Sequence, residues 1–242
     1  MKKNTGPYLS LVIPVYNEEK RIKNLYEIQD YLKKQKYKWE IIIVDDGSTD
    51  KTNTILKSLK SKLKFKLISY FPNSGKGQAI KVGMLSAKGK YRLFLDIDLS
   101  TPIYELEKFL PFLKKFDIVI GSRKMKSANV IIRQPFFRET LGKIFTLISK
   151  NILQMNISDF TCGFKCFSRE SAEQIFTKQT INRWGFDPEI LYIGKIMKKT
   201  IKEVPVEWKN DPRTKVNFPS DIINSLTELI RIKLNSARGL YL

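Results

Sequence analysis

Five short apolar runs punctuate residues 9–122, and each is followed by polar residues: LSLVIPV, WEIIIVDD, FKLISY, YRLFLDID and FDIVIGSR. The runs are nearly continuous rather than alternating polar and apolar. Strands of that kind must be covered on both faces, as in a largely parallel sheet with helices on each side. The segments between the runs supply those helices. One follows NEE and runs to about Lys36. A second is GSTDKTNTILKSLK, with Ser48, Thr49 and Asp50 as cap candidates; SGKGQAIKVGMLSAKG is a third and TPIYELEKFLPFL a fourth. This alternation predicts an α/β fold with a mostly parallel central sheet. Ligands of such sheets bind beyond the carboxyl ends of the strands. That is where Asn17 and Glu18, Asp45 and Asp46, Asp96 and Asp98, and Ser122 and Arg123 fall.

Past residue 130 the pattern changes. FFRETLGKIFTLISKNILQM places Phe137, Leu141, Ile144, Phe145, Ile148 and Ile152 at helical spacing. DIINSLTELIRIKLN does the same with Ile222, Leu226, Leu229 and Ile230. The 242 residues are expected to form one catalytic-size domain, residues 1–215, and a C-terminal amphipathic helical extension, 216–242. The start, MKKNTGPYLS, lacks the apolar run of a signal peptide. No stretch of about 18 uncharged apolar residues occurs, so no spanning helix is expected. Cys162 and Cys166 are too few for a disulfide framework and have no histidine to complete a zinc site. They read as buried small apolar residues in a reducing cytoplasm.

Asp96 and Asp98 pose the sharpest chemical question. Two carboxylates at the end of a buried strand are costly unless compensated. Alternate residues of a strand share a face, so both point the same way and repel. Hard divalent cations such as Mg²⁺ and Mn²⁺ take oxygen ligands and join carboxylates to substrate phosphates. A solvated strand end is the plain alternative. VDDGSTD offers acids that accept hydrogen bonds from a ribose hydroxyl or a base N–H, or that merely close a turn. In NSGKGQA, glycines before a helix let backbone N–H groups approach an anion, and Lys76 adds charge; the Walker spacing is missing.

The chain carries 44 Lys and Arg against 24 Asp and Glu, a net +20. Such a balance suits nucleic acid, an acidic membrane face or phosphorylated substrates; the alternative is lysines spread over a solvated surface. Residues 121–150 are densest in charge, with Arg123, Lys124, Lys126, Arg133, Arg138, Lys143 and Lys150 against Glu139 alone. Arginine forks suit phosphate. A basic, apolar helix suits an anionic membrane surface, or else a core-facing stripe with solvated lysines. No DNA-binding motif is present, and acids at the strand ends oppose a nucleic-acid partner. Histidine is absent, which excludes a histidine base, nucleophile or metal ligand. RWGFDPE gathers Arg183, Trp184, Asp187 and Glu189 around a helix start.

Taken in order, VIPVYNEEKRI, IIIVDDGSTDKT, NSGKGQAIKVGMLSAKG, FLDIDLSTP, GSR, DFTCGFKCF and RWGFDPEILYI resemble the blocks of family-2 inverting glycosyltransferases across residues 9–215. The likeness is greatest to the dolichyl- or polyprenyl-phosphate glucosyltransferase branch, with the dolichyl-phosphate mannose synthases as relatives. It implies a GT-A-type nucleotide-binding fold. It also implies transfer of a sugar, glucose first, from a nucleotide-sugar donor such as UDP-glucose to polyprenyl or dolichyl phosphate. By the same resemblance Pro14, Tyr16, Glu18, Asp45, Asp46, Lys76 and Asp96 serve the nucleotide. Asp96 and Asp98 hold Mg²⁺ or Mn²⁺ on the diphosphate. Arg123, Arg133, Arg138, Arg213 and Lys215 take the acceptor phosphate, and Asp98, Asp159 and Arg123 are the catalytic positions. Ser100 stands where mannose-phosphate synthases carry a metal-binding glutamine, which argues against that branch. Family members usually carry a transmembrane anchor and this sequence shows no such stretch, which leaves two expectations: a piece of a longer, anchored protein, or an enzyme placed peripherally on the inner, cytoplasmic face of the membrane.

Direct attack by an ionised phosphate on an anomeric carbon needs orientation more than a base, so the missing histidine is no obstacle. The rival readings are a GDP-mannose enzyme, a family-2 transferase with a soluble glycan acceptor, a nucleotidyltransferase and a basic nucleic-acid binder. For the nucleotidyltransferase, the early Gly-rich basic loop is absent from residues 9–25.

Overall fold

The computed structural model describes residues 6–213 and 220–242, the second segment with side chains from Asn224 on. The expected alternation is present in chain order: β1 (Leu9–Val15), α1 (Asn24–Lys33), β2 (Trp39–Asp46), α2 (Thr52–Leu59), β3 (Lys66–Tyr70), α3 (Lys76–Ser86), β4 (Tyr91–Leu95), α4 (Leu106–Phe109) and β5 (Ile118–Ser122). There follow β6 (Asn129–Ile132), α5 (Phe136–Leu153), β7 (Phe164–Ser168), α6 (Arg169–Lys178), α7 (Phe186–Ile196), β8 (Ile201–Pro205), β9 (Glu207–Lys209) and α8 (Ser220–Ala237). Seven strands form one sheet in the order β3-β2-β1-β4-β7-β5-β8. β3, β2, β1 and β4 are mutually parallel, and β8 is parallel to β5.

The continuous apolar runs are explained by the two core layers. Leu9, Leu11 and Ile13 of β1 and Ile41 and Ile43 of β2 pack with Leu25, Ile28 and Leu32 of α1 and Leu56 of α2. Their sequence neighbours Val12, Ile42 and Val44 belong to the other layer, with Ala79, Ile80 and Met84 of α3 and Ile175, Phe176 and Ile190 beyond. Each such Val, Leu, Ile, Met or Phe side chain contributes about 1.5–3 kcal/mol on burial. The second layer also takes Leu229 and Ile232 of α8 and the penultimate residue Tyr241, all 0–1% exposed. The boundary drawn from sequence at residue 215 falls outside the described residues.

Two arrangements escape the sequence pattern. β7 is antiparallel to both neighbours, inserted between β4 and β5, with Phe164 opposite Leu95. The turn that enters β7 therefore lies beside the carboxyl end of β4. The other is a two-stranded ribbon of β6 and β9, set apart from the main sheet. Within TPIYELEKFLPFL the regular α-helix is only α4, preceded by a 3₁₀ turn over Ile103–Glu105. The expected caps of α2 do mixed work: Asp50 Oδ1 accepts from Thr52 N at 2.9 Å, while Ser48 Oγ accepts from Asn17 N at 2.9 Å.

α5 forms where its periodicity predicts, but the stripe is not all core. Phe137, Ile144 and Leu147 are exposed along with Phe136, and the buried positions are Thr146, Ser149 and Leu153. Cys162 and Cys166 are free, buried thiols, and burial pushes Cys162 up to about 11, which leaves it inert as a nucleophile. Among the described residues no helix is long and apolar enough to cross a membrane.

Candidate active site

A cleft of about 770 Å³ opens where β1, β2 and β4 end. Pairing in β4 stops at Leu95, so the two acids stand on the turn beyond it rather than on the strand. Ile97 between them is buried, 3% exposed, and Asp96 and Asp98 both line the cleft. The turn is tight. Leu99 takes a left-handed φ of 53°, a costly value for a branched side chain, and Ser100 N donates to Asp98 Oδ1 at 2.8 Å. Burial and the neighbouring Asp96 charge raise the Asp98 carboxyl above its ordinary value. Asp96 Oδ1 meets Lys76 Nζ at 2.6 Å.

These residues fit a divalent cation. Two carboxylates share one cleft wall, and one carries a negative charge that its surroundings leave poorly compensated. No group of three or more His, Cys, Asp or Glu capable of holding a metal occurs among the described residues. A cation here would need further oxygens from a substrate diphosphate or water, the usual habit of Mg²⁺. Gly163, in the turn entering β7, is what lets Asp96 stand there. A Cβ at Gly163 would lie 2.7 Å from Asp96 Cγ, closer than real contacts allow. Gly163→Ala is therefore expected to displace Asp96 and weaken Mn²⁺ binding at least tenfold, with little loss of thermal stability; calorimetric titration of Mn²⁺ in the presence of UDP, beside a melting curve, reads both.

The nucleotide candidates divide. Pro14, Tyr16, Glu18, Asp46, Lys76 and Asp96 line the cleft, whereas Asp45 does not. Asp45 closes its own turn: Oδ1 accepts from Ser48 N at 3.0 Å and Oδ2 from Asn53 Nδ2 at 2.6 Å. Asp46 anchors the loop before α3, accepting from Ser74 N at 2.8 Å, Asn73 Nδ2 at 2.7 Å and Gly75 N at 2.9 Å. Gly75 needs its φ of 105° to make that turn. Asn17 clamps the loops after β1 and β2 together, its Oδ1 accepting from Thr49 N at 2.7 Å.

Sequence reasoning missed Arg21. Its guanidinium is 2.9 Å from Glu18 Oε2 and 3.1 Å from Asp211 Oδ2, and Nη2 donates to Arg213 O at 2.6 Å. It thus ties the end of β1 to the segment that carries Arg213, which also lines the cleft. A partner 190 positions away leaves no local signal.

Arg123 follows β5 and is held by Asp159: Nε donates to Oδ2 at 2.7 Å, Nη2 to Oδ1 at 2.8 Å, and the backbone N to Oδ2 at 3.0 Å. Asp159 is 0% exposed. Burial alone would raise its carboxyl, but Arg123 and Lys124 outweigh that and hold it far below the ordinary carboxylate range. Arg123 also stands over Trp208, 5.4 Å from the ring centroid. A second cleft of about 870 Å³ shares Lys76, Arg123, Trp184 and Trp208 with the first. It runs past Arg138 and Arg133 between β6 and α5. Arg133 is 76% exposed, with Glu139 at 3.8 Å. Lys215 lies outside the described residues. Trp184 and Trp208, walls of both clefts, were not among the expected site residues, although RWGFDPE draws attention to the first.

The sequence pattern described as "Glycosyl transferase family 2" matches residues 10–176. A dolichyl-phosphate beta-glucosyltransferase of Trichomonas vaginalis is 41% identical, over 94% of this chain and 73% of its own length. Its namesake from Saccharomyces cerevisiae is 33% identical, over 97% of this chain and 76% of its own. Among solved structures, glucosyl-3-phosphoglycerate synthase of Mycobacterium tuberculosis, in complex with Mn²⁺, UDP and glucosyl-3-phosphoglycerate, superposes with a TM-score of 0.66 at 19% identity, covering 98% of this chain and 81% of that one. TarS of S. aureus in complex with UDP-GlcNAc gives 0.59 at 18%, covering 94% and 66%. The sheet order, the acidic turn after β4 and these matches agree: the chain belongs to glycosyl transferase family 2 and has the GT-A architecture.

Proposed function

We propose that this chain moves glucose from UDP-glucose to dolichyl phosphate, or a closely similar polyprenyl phosphate, with inversion at the anomeric carbon. The names of its relatives supply the sugar and the acceptor. The observation that carries the reading in this molecule is the junction of the two clefts. One ends at a carboxylate pair suited to a metal-bound diphosphate. The other leads past arginines to an exposed apolar surface, the route a phosphate on a hydrocarbon chain requires.

A phosphate monoester is already ionised near neutral pH and needs alignment and charge neutralisation, not a base. Its oxygen forms a bond to the anomeric carbon while the bond from that carbon to the β-phosphate oxygen breaks, and UDP leaves with the electron pair. In-line attack converts an α-linked donor into a β-linked product. A divalent cation held by Asp96 and Asp98 would supply charge neutralisation on the departing diphosphate. Arg123 stands at the junction and is aimed by Asp159, which acts through it; Arg138 and Arg133 guide the acceptor phosphate inward. Tyr16, Glu18 and Asp46 shape the nucleoside end. The test is transfer by purified protein in detergent with Mn²⁺, polyprenyl phosphate, and UDP-glucose, GDP-mannose or UDP-N-acetylglucosamine in parallel. Release of UDP from UDP-glucose that requires the lipid phosphate is expected. Release from GDP-mannose alone, or release indifferent to the lipid, would overturn the reading.

The acceptor lies in a bilayer, and the surface beside the second cleft suits one. Ile131, Ile132, Phe136, Phe137, Ile144 and Leu147 are exposed together on β6 and α5. Arg133 and Lys143 flank them, 76% and 65% exposed, which favours an anionic membrane face. A Phe136→Asp/Phe137→Asp variant is expected to lose at least tenfold in co-sedimentation with anionic vesicles, since each ring contributes about 1.5–3 kcal/mol when buried. Its UDP affinity should be unchanged. Undiminished sedimentation would remove this face from the membrane contact.

A further inference from the structure

Lys76 is placed where a lysine is electrostatically awkward. It is the first residue of α3, at the end of the helix whose dipole repels cations. It is drawn into the cleft instead by acids. Nζ pairs with Asp96 Oδ1 at 2.6 Å and lies 5.9 Å from the Trp184 ring centroid. Asp187 lines the second cleft together with Lys76, and its Oδ1 accepts from the buried Lys165. An alternating row results: Lys165, Asp187, Lys76, then Asp96 and Asp98.

We infer that Lys76 is a built-in substitute for the metal cation, neutralising Asp96 until a nucleoside diphosphate arrives and so making metal binding conditional on the nucleotide. This rests on the reading of Asp96 and Asp98 as the metal's carboxylates. When ionised, the three acids against two lysines leave the row one negative charge in excess. A divalent cation entering alone must displace an ammonium from Asp96 and leaves the half-buried row positive. A diphosphate brings negative charge of its own, gives the displaced ammonium a new partner and restores the balance. Metal and nucleotide then bind as a coupled pair rather than independently.

The coupling is measurable without turnover. Free Mn²⁺ is followed by its electron paramagnetic resonance signal, with and without UDP, in the wild type, Lys76→Met and Lys76→Arg. In the wild type UDP is expected to tighten Mn²⁺ binding by a factor in the upper part of the usual coupling range, about 5–150-fold. Lys76→Met should bind Mn²⁺ alone about tenfold more tightly than the wild type, and the effect of UDP should shrink by a similar factor. By reciprocity, the effect of Mn²⁺ on UDP affinity must shrink equally. Lys76→Arg keeps the charge and should keep the coupling. Melting curves establish that each variant is folded, and Lys76→Gln replaces Lys76→Met if the latter is not. Wild-type binding of Mn²⁺ with UDP, together with a Lys76→Met affinity for Mn²⁺ alone within twofold of the wild type, would overturn the role of Lys76 and leave the metal site standing. Absence of Mn²⁺ binding to the wild type even with UDP would overturn the metal site and this inference together.

Discussion

Asp98→Asn is expected to lose about 10²–10³-fold in turnover at saturating Mn²⁺ and donor, while the fold becomes no less stable. The activity loss follows from removing one of the two carboxylates available to a cation, with a size typical of deleting one group that neutralises developing charge. The stability gain has its own cause. The folded-state pKa of Asp98 is raised, by burial first and by Asp96 second, so ionising it costs folding energy. The sign is fixed by linkage: between the unfolded carboxylate value, about 3.9, and the raised folded value, the folded chain binds more protons, and stability falls as pH rises. Above that window the full cost is present; below it the cost is gone. Asparagine has no such charge. The variant should therefore melt higher than the wild type at pH 7–8 without metal, and the difference should vanish in acid. Near-wild-type turnover, or a variant less stable at pH 7 than at pH 4 relative to the wild type, would count against the carboxylate pair as a site kept for a cation. Stability given up at a functional cluster is a common pattern.

How much of this was legible in the sequence depends on the range of the interaction. β1, β2 and β4 are read from apolar runs because a strand buried on both faces needs nothing else to identify it. The acids that follow them mark the cleft for a related reason: ligands of such sheets bind beyond the carboxyl ends of the strands. β7 is different. FKCFS carries no mark of direction, and its antiparallel insertion depends on pairing with residues 69 to 77 positions earlier in β4 and 45 to 49 positions earlier in β5. That insertion brings Gly163 against Asp96 and Asp159 beneath Arg123, so the acceptor side was visible only as separate motifs. Arg21 and Asp211 were missed because their pairing spans 190 positions. Periodicity gave the length of α5 but not its outward face. A stripe of Phe, Ile and Leu reads alike whether it meets a core or a membrane, and what decides is the exposure of Phe136, Phe137, Ile144 and Leu147. Asp46 and Asp45 were alike in sequence, and only their hydrogen bonds separate an anchor of the α3 loop from an acid that closes its own turn.

Arg123→Ala is expected to be the most damaging single change, because it removes a cleft-lining cation and strands a buried acid. Asp159 is 0% exposed and accepts two side-chain bonds and one backbone bond from Arg123. Taking away one member of a buried pair costs about 3–5 kcal/mol, since the remaining charge is left without compensation. Removing both members should restore part of that loss: Arg123→Ala/Asp159→Ala is expected to have a higher urea midpoint than Arg123→Ala alone. Asp159→Ala should be the milder single change, because the Arg123 side chain is 19% exposed and reaches solvent through the cleft. Asp159→Asn is not conservative here, because its amide would point N–H groups at the donors of Arg123. The same cycle in turnover separates two roles for Asp159. An acid held far below the carboxylate range by a guanidinium is a poor proton acceptor, and a phosphate nucleophile does not require one. If Asp159 acts by aiming Arg123, the double variant should be no slower than Arg123→Ala, because a residue already removed has nothing left to be aimed. If Asp159 acts on the substrate itself, the two defects should multiply, and the double variant should fall well below either single one. The geometry favours the first result, in which the buried acid contributes to catalysis entirely through the arginine it holds.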